Sequence, residues 1–449
     1  MKPELFDIPF LYYGVKGYGF MLMIGFLTAV WWATRRAAKV RMNPDIVLNL
    51  AFIALIFGVV GARFFYVVHY WERNFAGRGL SAVLDVTAGG LEFYGGFIGA
   101  MVFILWYVAS HGRPLIARGL ALAWTVTTGL ALAAVYVFIG PKATMSYVLG
   151  AVLVVVGFYI VRALWRWARD AGRGAPASFR LYADIIAPSL LWGLAFGRIG
   201  CFLNGCCWGA TCTHPKLPWA VRFPCGSPVQ LDQWRRGLVS LPAALVEIHP
   251  ATGIGQPIPR ELLTMSMKKY ERHERRYQRA AAKLAEAERS HDDPARIERL
   301  REVVEQYRKI RNEWYNSQQP VRECMRLHDL KSLGDLQELA RREDCKSLPV
   351  HPAQLYSSIN AFLLAFVLNA IFYRRKRHGV VFGLMWVLYP IARIVEEAIR
   401  ADNPLDTGGL TISQAVSVGG LIFALVWFWW LYRQPLRSPR AVAVESAVR

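Results

Sequence analysis

Long apolar runs recur along the 449-residue chain and limit what it can fold into. Each holds roughly 18–22 residues with few charges, the length that a helix needs to cross a bilayer. We count about nine runs, near residues 12–34, 48–70, 91–110, 119–139, 146–165, 181–200, 352–373, 380–399 and 411–432. Because lipid offers the backbone no hydrogen-bond partners, each run must form a helix. The sequence therefore predicts an all-α, polytopic integral membrane protein with about nine transmembrane helices.

The net charge of +21 follows the order of these runs. The basic residues after the first, third, fifth, seventh and ninth runs are Arg35, Arg36, Lys39 and Arg41; Arg113 and Arg118; Arg162, Arg166, Arg169, Arg173 and Arg180; Arg374, Arg375, Lys376 and Arg377; and Arg433, Arg437 and Arg440. Basic loops stay in the cytoplasm, so we expect the N-terminus outside the inner membrane and the C-terminus in the cytoplasm. The first residues lack a basic flank ahead of a short apolar core, so we expect no removable signal peptide. Basic residues spread over loops also argue against nucleic-acid binding.

A long polar loop interrupts the apolar pattern between about residues 208 and 350. Residues 260–317 interleave acidic and basic side chains, with apolar positions at Tyr270, Tyr277, Leu284, Ile297, Leu300, Val304 and Tyr307. Asp292-Asp293-Pro294 divides the pattern, since Asp caps a helix and Pro favours its first position. We predict an extracytoplasmic antiparallel helical hairpin, either a solvated structural arm or a partner-binding module. The expected domains are an N-terminal membrane core (1–207), which includes the two runs near 119–165, this loop (208–350), a C-terminal membrane core (351–433) and a cytoplasmic tail (434–449).

The cysteines all fall on the predicted outer side, where an oxidising environment favours disulfides. They are Cys201, Cys206, Cys207, Cys212, Cys225, Cys324 and Cys345. Cys324 and Cys345 form a reasonable pair, although the sequence leaves the connectivity open. Zinc is the weaker option, because no paired CxxC spacing occurs and only His214 lies near Cys212. We therefore predict no metal site.

An arginine among glycines closes the sixth run, in the sequence GRIGCFLNGCCWG from Gly197 to Gly209. A charged Arg198 inside a membrane costs about 2.5–3.5 kcal/mol unless it reaches water or an anion. The glycines let backbone N–H groups approach a ligand closely and form an anion-binding nest. This combination predicts a phosphate site at the membrane interface.

Other polar residues in the runs fall in the same outer leaflet once the topology is applied. They are Tyr18, Tyr94 with Gly95 and Gly96, Arg198, then His351, Gln354 and Tyr356, and finally Tyr389, Arg393 and Glu397, which are four apart on one helical face. Each has a structural alternative. The glycines of residues 89–100 can pack helices closely, Arg393 and Glu397 can form an ion pair, and His351 and Tyr356 can anchor a helix at the interface. Their occurrence together, with forked arginine donors that match phosphate oxygens, favours a phospholipid site.

The same residues carry a family resemblance. The chain resembles the prolipoprotein diacylglyceryl transferases at Tyr18-Gly19, Gly61-Ala62-Arg63 with Tyr66, Gly89-Gly90-Leu91 through Gly99, Asp184-Ile185-Ile186-Ala187-Pro188, Gly197 through Gly209, His351-Pro352-Ala353-Gln354-Leu355-Tyr356, Gly383-Leu384, Tyr389, Arg393, Glu397, Arg400 and Ser413-Gln414. No GxSxG or HExxH motif points to a lipase or metalloenzyme instead.

The resemblance implies a transferase that moves the diacylglyceryl group of phosphatidylglycerol to the lipobox cysteine of a prolipoprotein and releases glycerol 1-phosphate. Arg198 would hold the lipid phosphate, and Arg393 would stabilise the leaving group or position the peptide. The catalytic residues it implies are Arg198, Arg393, Tyr94, Tyr389 and Glu397, and the substrate-binding residues are Arg198, Tyr18, Gly95, Gly96, Asn204, Gly205, Gly209, His351, Gln354 and Tyr356. Phosphatidylglycerol, lipobox peptides and membrane lipids are the expected partners of a monomer that needs no cofactor.

Departures from the family pattern concern proton transfer. Tyr94 stands where some members have a histidine, and Cys201 and Cys206 replace a common asparagine and glutamate. Ser357 stands where an acidic residue often follows the HPxQLY motif, which here ends at Tyr356. The runs near 119–139 and 146–165 and the charged hairpin look like additions to the family core. Two other functions remain open. A transporter predicts inverted repeats, which the sequence lacks, and a thiol-disulfide exchange protein predicts that its cysteines are essential.

Overall fold

The computed structural model describes residues 4–7, 14–75, 90, 92–111, 177–212, 217–248, 255–265, 267–290, 293–400 and 409–440, with further single residues between 83 and 169. The predicted runs near 119–139 and 146–165 lie outside the described residues. Two compact units share the chain: the first comprises Met1–Leu22, Gly197–Ser358 and Val395–Thr411, and the second comprises Met23–Phe196, Ile359–Ile394 and Ile412–Arg449.

The described part of the chain is mostly helical. Its helices are α1 (Gly17–Lys39), α2 (Pro44–His69), α3 (Phe93–Ser110), α4 (Phe179–Asn204), α5 (Pro228–Arg235), α6 (Arg260–Thr264), α7 (Met267–Tyr270), α8 (Arg272–Arg289), α9 (Pro294–Ser317), α10 (Gln319–Leu327), α11 (Leu333–Arg341), α12 (Ala353–Arg374), α13 (Val380–Ile399) and α14 (Ile412–Tyr432). Two antiparallel two-stranded sheets pair β1 (Glu4–Asp7) with β2 (Gly14–Lys16) and β3 (Val246–Ile248) with β4 (Gly255–Pro257), which the sequence analysis did not foresee.

Five of the described helices, α1, α2, α4, α12 and α14, are long and apolar enough to cross a membrane. On α2, the side chains of Phe52, Ile56, Val60 and Phe64 recur every fourth residue and are each more than half exposed. A continuous exposed apolar stripe of this kind is suited to lipid rather than water. The protein is therefore a mostly helical membrane protein. Helix α13 has the predicted bounds of the eighth run but carries three charges in its second half, Arg393, Glu396 and Glu397.

The second unit places α2 and α3 in direct backbone contact through glycines. A Cβ atom on Gly61 would lie 2.4 Å from the carbonyl oxygen of Gly95, and one on Gly96 would lie 2.9 Å from that of Gly58. Small residues allow membrane helices to pack this closely. The packing alternative for residues 89–100 therefore describes the structural role of Gly95 and Gly96.

Two arginines of the same unit have buried guanidinium groups. Arg36 is 1% exposed within α1, and its guanidinium donates to the Asn369 side chain at 3.0 Å and to the Ile185 carbonyl. Arg375 forms an ion pair of 2.8 Å with the fully buried Asp184. The sequence analysis used these two arginines only to assign the cytoplasmic side. Their burial is compensated by carbonyl, amide and carboxylate groups of neighbouring helices.

The polar loop in the first unit has an apolar core of its own. Leu245, Ile258, Leu336 and Cys345 are at most 2% exposed there. Gln337 links its segments, since its side-chain amide donates to two backbone carbonyls of residues 262 and 265 at 2.8 Å. All seven cysteines are free thiols, so the expected disulfide between Cys324 and Cys345 is not formed.

Helices α8 and α9 run antiparallel within this loop. Arg301 pairs with Glu288 at 3.0 Å, whereas Tyr315 donates to Glu274 at 3.3 Å, so later residues of α9 meet earlier residues of α8. The predicted start at Asp293-Pro294 is confirmed, because the Asp293 side chain accepts from the Ala295 N–H and caps α9. No residue described in α9 is buried, which matches its charged sequence.

Candidate active site

The end of α4 is shaped by two residues with left-handed backbone. Gly205 has a φ of 77°, and its N–H donates to the carbonyl of Cys201 at 2.8 Å. The N–H of Cys206 donates to the same carbonyl at 3.2 Å, which completes a Schellman helix end. Cys207 then has a φ of 62°, which is unusual for a residue with a side chain. The chain therefore turns back at once toward the last turn of α4.

This turn brings three thiols together. The sulfur atoms of Cys201, Cys206 and Cys207 all lie within 4.8 Å of one another, and all three residues are half-buried. The two neighbouring thiols hydrogen-bond the sulfur of Cys207 and lower its pKa. The positive charges of Arg400 and Arg198 lower the pKa of Cys207 further. Thiolate at Cys207 is therefore favoured by both hydrogen bonding and charge.

Tyr18 lies against this turn because Gly200 leaves room for it. A Cβ atom on Gly200 would come within 3.0 Å of the Tyr18 ring. The Tyr18 hydroxyl interacts electrostatically with the three thiols and with Arg198. The structure thus groups Tyr18, Arg198 and the three cysteines in one place of the first unit.

The segment after the cysteines joins two more chain regions to the site. The Gly209 N–H donates to the His351 carbonyl at 3.0 Å, and the Ala210 N–H donates to the Ile399 carbonyl at 2.8 Å. A Cβ atom on Gly209 would lie 2.8 Å from the His351 side chain and backbone, so glycine alone fits there without displacement. The predicted residues Gly209 and His351 are therefore neighbours.

Gln354 fixes the position of the cysteine turn. It is 1% exposed, and its amide donates to the Cys206 carbonyl at 2.7 Å. The Asn204 side chain hydrogen-bonds the Cys206 thiol. Gln354 is thus a positioning residue for the cysteines. Tyr356 lies farther out, where its hydroxyl accepts from the Trp219 indole at 2.8 Å.

The end of α13 belongs to the first unit and contributes two carboxylates to it. Glu397 is 4% exposed and lies 3.9 Å from the Arg400 guanidinium. Glu396 accepts a hydrogen bond of 2.5 Å from Ser357. Ser357 stands where the resembling family often has an acidic residue. In this chain Glu396 of α13 supplies a carboxylate next to that position. Sequence reasoning missed Glu396, although its position beside Glu397 was a visible signal.

Arg260 is a second residue that sequence reasoning missed. It begins α6 in the polar loop and donates to the Asn204 carbonyl at 2.7 Å. This bond satisfies a carbonyl at the end of α4 that has no partner within the helix. No motif in the sequence marks Arg260, since the contact depends on how the loop folds.

The remaining predicted residues belong to the second unit. Arg393 is 6% exposed and donates to the Ser413 hydroxyl at 3.0 Å, and Tyr389 packs on the apolar core of that unit. The side chain of Tyr94 lies outside the described residues. The fold therefore groups Tyr18, Arg198, Asn204, Gly205, Gly209, His351, Gln354, Tyr356 and Glu397 in the first unit and leaves Gly95, Gly96, Tyr389 and Arg393 in the second.

A cavity with a strongly basic lining lies elsewhere, in the second unit. Its volume is about 950 Å³. Its basic lining consists of Lys39, Arg41, Arg375, Lys376, His378 and Arg437. These residues lie at or just after the ends of α1, α12 and α14, and none of the predicted site residues lines the cavity.

The family model described as prolipoprotein diacylglyceryl transferase matches residues 3–140, 142–254 and 300–430. The chain belongs to this family. The family match includes the predicted runs near 119–139 and 146–165 and omits residues 255–299, which contain α6, α7 and α8.

Individual proteins that are similar to this chain are named as transferases. The phosphatidylglycerol–prolipoprotein diacylglyceryl transferase of Rhodopirellula baltica is 28% identical over 439 residues, which cover 92% of this chain and 71% of the relative. The transferases of the same name from Photobacterium profundum and Aliivibrio salmonicida are 28% and 27% identical over 48% and 51% of this chain, and the match covers 56% of each relative. The similarity to the first relative thus spans both units.

Proposed function

We propose that the protein transfers the diacylglyceryl group of phosphatidylglycerol to the lipobox cysteine thiol of prolipoproteins, forming a thioether and releasing glycerol 1-phosphate. The observation that supports this most is Arg198, which is half-buried at the end of a membrane-spanning helix beside Tyr18 and the glycine turn. A half-buried guanidinium at the end of an apolar helix is suited to bind an anion, and a lipid phosphate is the anion that a membrane supplies.

The chemistry requires stabilisation of two negative charges. The departing glycerol phosphate gains charge as its carbon–oxygen bond breaks, and the attacking thiol must be a thiolate, since a free thiol has a pKa of about 8.5. Arg198 and Arg400 both act electrostatically on the same turn. A site that holds both cations can therefore stabilise the phosphate and the thiolate together. Arg393, Tyr389 and Tyr94 complete the proposed catalytic set on the basis of the family resemblance.

The proposed topology has about nine spans, with the N-terminus outside, the C-terminus in the cytoplasm and the active site facing the periplasm of a bacterial inner membrane. The helical hairpin α8–α9 is then an extracytoplasmic insertion between the two membrane cores. The protein acts as a monomer in this proposal. Alkaline phosphatase fused after residue 290 should be active and a fusion after residue 440 should be inactive.

The direct test uses the full chain in vesicles that contain labelled phosphatidylglycerol. With a lipobox peptide, we expect a thioether-linked lipid peptide and released glycerol phosphate. Arg198→Ala should lower kcat/KM by about a hundredfold or more, as loss of a charged transition-state contact does. The matched control is Arg236→Ala, which removes an exposed arginine of the same unit that pairs only with Asp232 among the contacts described. Transfer that is equally fast in both variants would contradict the role of Arg198.

A further inference from the structure

The three-thiol cluster of Cys201, Cys206 and Cys207 has no role in the function proposed so far. We infer that this cluster binds one zinc ion through three thiolates, with a fourth position open for the thiol of the incoming lipobox cysteine. The second half of this inference rests on the proposed transferase function. The first half, the metal site, stands on geometry alone.

The spacing of the sulfur atoms fits a zinc site. Zinc–sulfur bonds of about 2.3 Å at tetrahedral angles place two sulfurs about 3.8 Å apart. The three sulfurs already lie within 4.8 Å of one another, so small side-chain rotations close them onto one ion. Three soft thiolates select zinc over magnesium or calcium, which prefer oxygen. A disulfide would use only two of the thiols and leave the third unexplained.

The cluster has the form of a catalytic zinc site rather than a structural one. Structural sites have four protein ligands, whereas catalytic sites have three and an open position. Among the described residues, only these three His, Cys, Asp or Glu side chains form a group with metal-ligand spacing. All three are half-buried, so the open position can be reached from outside.

The surroundings support a bound cation and hold its ligands in place. Gln354 and Asn204 hydrogen-bond the carbonyl and the thiol of Cys206, as residues around metal ligands do. One zinc ion, Arg198 and Arg400 together balance the negative charges of the three thiolates and of Glu397, the partner of Arg400. The left-handed conformation of Cys207 is strained, and a bond from its sulfur to a metal can offset that strain.

A zinc ion here would supply what the family pattern lacks in this chain. Cys201 and Cys206 stand where the family often has asparagine and glutamate, and Tyr94 stands in place of a histidine. A thiol that binds zinc is deprotonated outright. Its proton passes to water, the sulfur then forms a bond to the glyceryl carbon, and the carbon–oxygen bond breaks with its electron pair on glycerol phosphate. Zinc changes neither charge nor oxidation state in this step.

The metal site is tested by the zinc content of the full-length protein, purified in detergent without chelator. We expect about one zinc per chain. Cys201→Ser, Cys206→Ser and Cys207→Ser should each lose it, whereas the matched control Cys212→Ser, a half-buried thiol outside the cluster, should keep it. Gln354→Ala should weaken zinc binding about 10–100-fold, as the loss of a residue that positions a ligand does.

Two measurements on the wild-type protein avoid any folding defect of the variants. Alkylation with mass spectrometry should show Cys201, Cys206 and Cys207 protected until a chelator is added. Cobalt-loaded protein should show thiolate-to-cobalt absorption that strengthens with a lipobox peptide and not with its Ser counterpart. Absence of metal, a disulfide within the cluster, or zinc retained in all three Ser variants would overturn the site.

The outcomes also separate this inference from the proposed function. If chelated, metal-free protein transfers lipid at the full rate, the zinc role is wrong and the transferase function stands. If zinc binds but no transfer occurs with any lipobox peptide, the metal site stands, and its thiol-activating role is overturned together with the proposed function.

Discussion

The buried ion pair of Asp184 and Arg375 makes the clearest prediction for stability. Asp184 is fully buried in α4, and its carboxylate accepts from the Arg375 guanidinium at 2.8 Å. It also accepts from the N–H groups of Gly379 and Phe382 at 2.7 and 2.9 Å, which caps the start of α13 from outside the helix. One side chain therefore satisfies three donors.

Asp184→Asn keeps the shape of this group and removes its charge. Breaking a buried pair on one side leaves Arg375 uncompensated and costs about 3–5 kcal/mol. The amide also places an N–H₂ group against one of the two backbone donors, which adds to the loss. We expect the free energy of unfolding to fall by this amount in SDS titrations followed by tryptophan fluorescence. Trp427 contributes to this signal from the affected region, because its indole donates to the Gly379 carbonyl at 2.9 Å.

Two comparisons test whether burial of the ion pair causes the loss of stability in Asp184→Asn. Arg375→Gln should cost a similar amount, and the double variant should cost less than the sum of the two single variants. The exposed pair of Arg301 and Glu288 has nearly the same length, 3.0 Å, and Arg301→Gln should change unfolding by no measurable amount. Equal shifts for Asp184→Asn and Arg301→Gln, or strict additivity in the double variant, would refute the reasoning.

Two further predictions concern the second unit. Burial, and then neighbouring arginines, lower the pKa of His378 to about 4, and its Nδ1 accepts from the Ser438 N–H at 3.1 Å. The imidazole of His378 therefore binds a proton more readily in the unfolded chain than in the folded protein. The stabilisation is complete above a pH of about 6.5, and the free energy of unfolding falls by about 1–2 kcal/mol toward pH 4, after allowance for partial exposure of the ring. His378→Gln should remove this pH dependence in unfolding curves measured across that range. Gly61→Ala should lower the melting temperature, since the new Cβ would lie 2.4 Å from the Gly95 carbonyl oxygen. The control Gly419→Ala, whose Cβ would have nothing within 4 Å, should leave the melting temperature unchanged or raise it slightly. Equal melting temperatures for the two variants would contradict the close packing of α2 and α3.

Apolar length was the most reliable guide to the fold. Helices α2, α4, α12 and α14 coincide with predicted runs because crossing lipid requires a minimum number of apolar residues in a row. The side-chain environment of the basic residues was less predictable. Arg36 and Arg375 look like any residue of a cytoplasmic loop, and only the fold reveals the partners that bury them. Burial of a charge depends on residues distant in sequence, which no local pattern encodes.

Local motifs predicted the site better than composition did. Arg198, Gly209, His351 and Gln354 were each visible as motif residues, and the structure shows what Gln354 does: it fixes the Cys206 turn. Glu396 and Arg260 were missed, because their partners come from α12 and from the end of α4. Contacts across such sequence distances are set by tertiary packing rather than by spacing.

The three cysteines show why spacing along the chain does not reveal a cluster of thiols. A search for paired CxxC motifs assumes that both thiols of a motif project from one turn. Here a Schellman end at Gly205 and the left-handed backbone of Cys207 bring the thiols of Cys206 and Cys207 back to Cys201. The cation beside the cluster, Arg198, is a residue that the chain shares with the family pattern, and the residues that differ are those that would meet the thiol. In the proposed mechanism, the substitutions leave phosphate binding by Arg198 in place and change how the lipobox thiol is activated. The proposed zinc site would then take the place of a carboxylate base, because a thiol bound to zinc loses its proton.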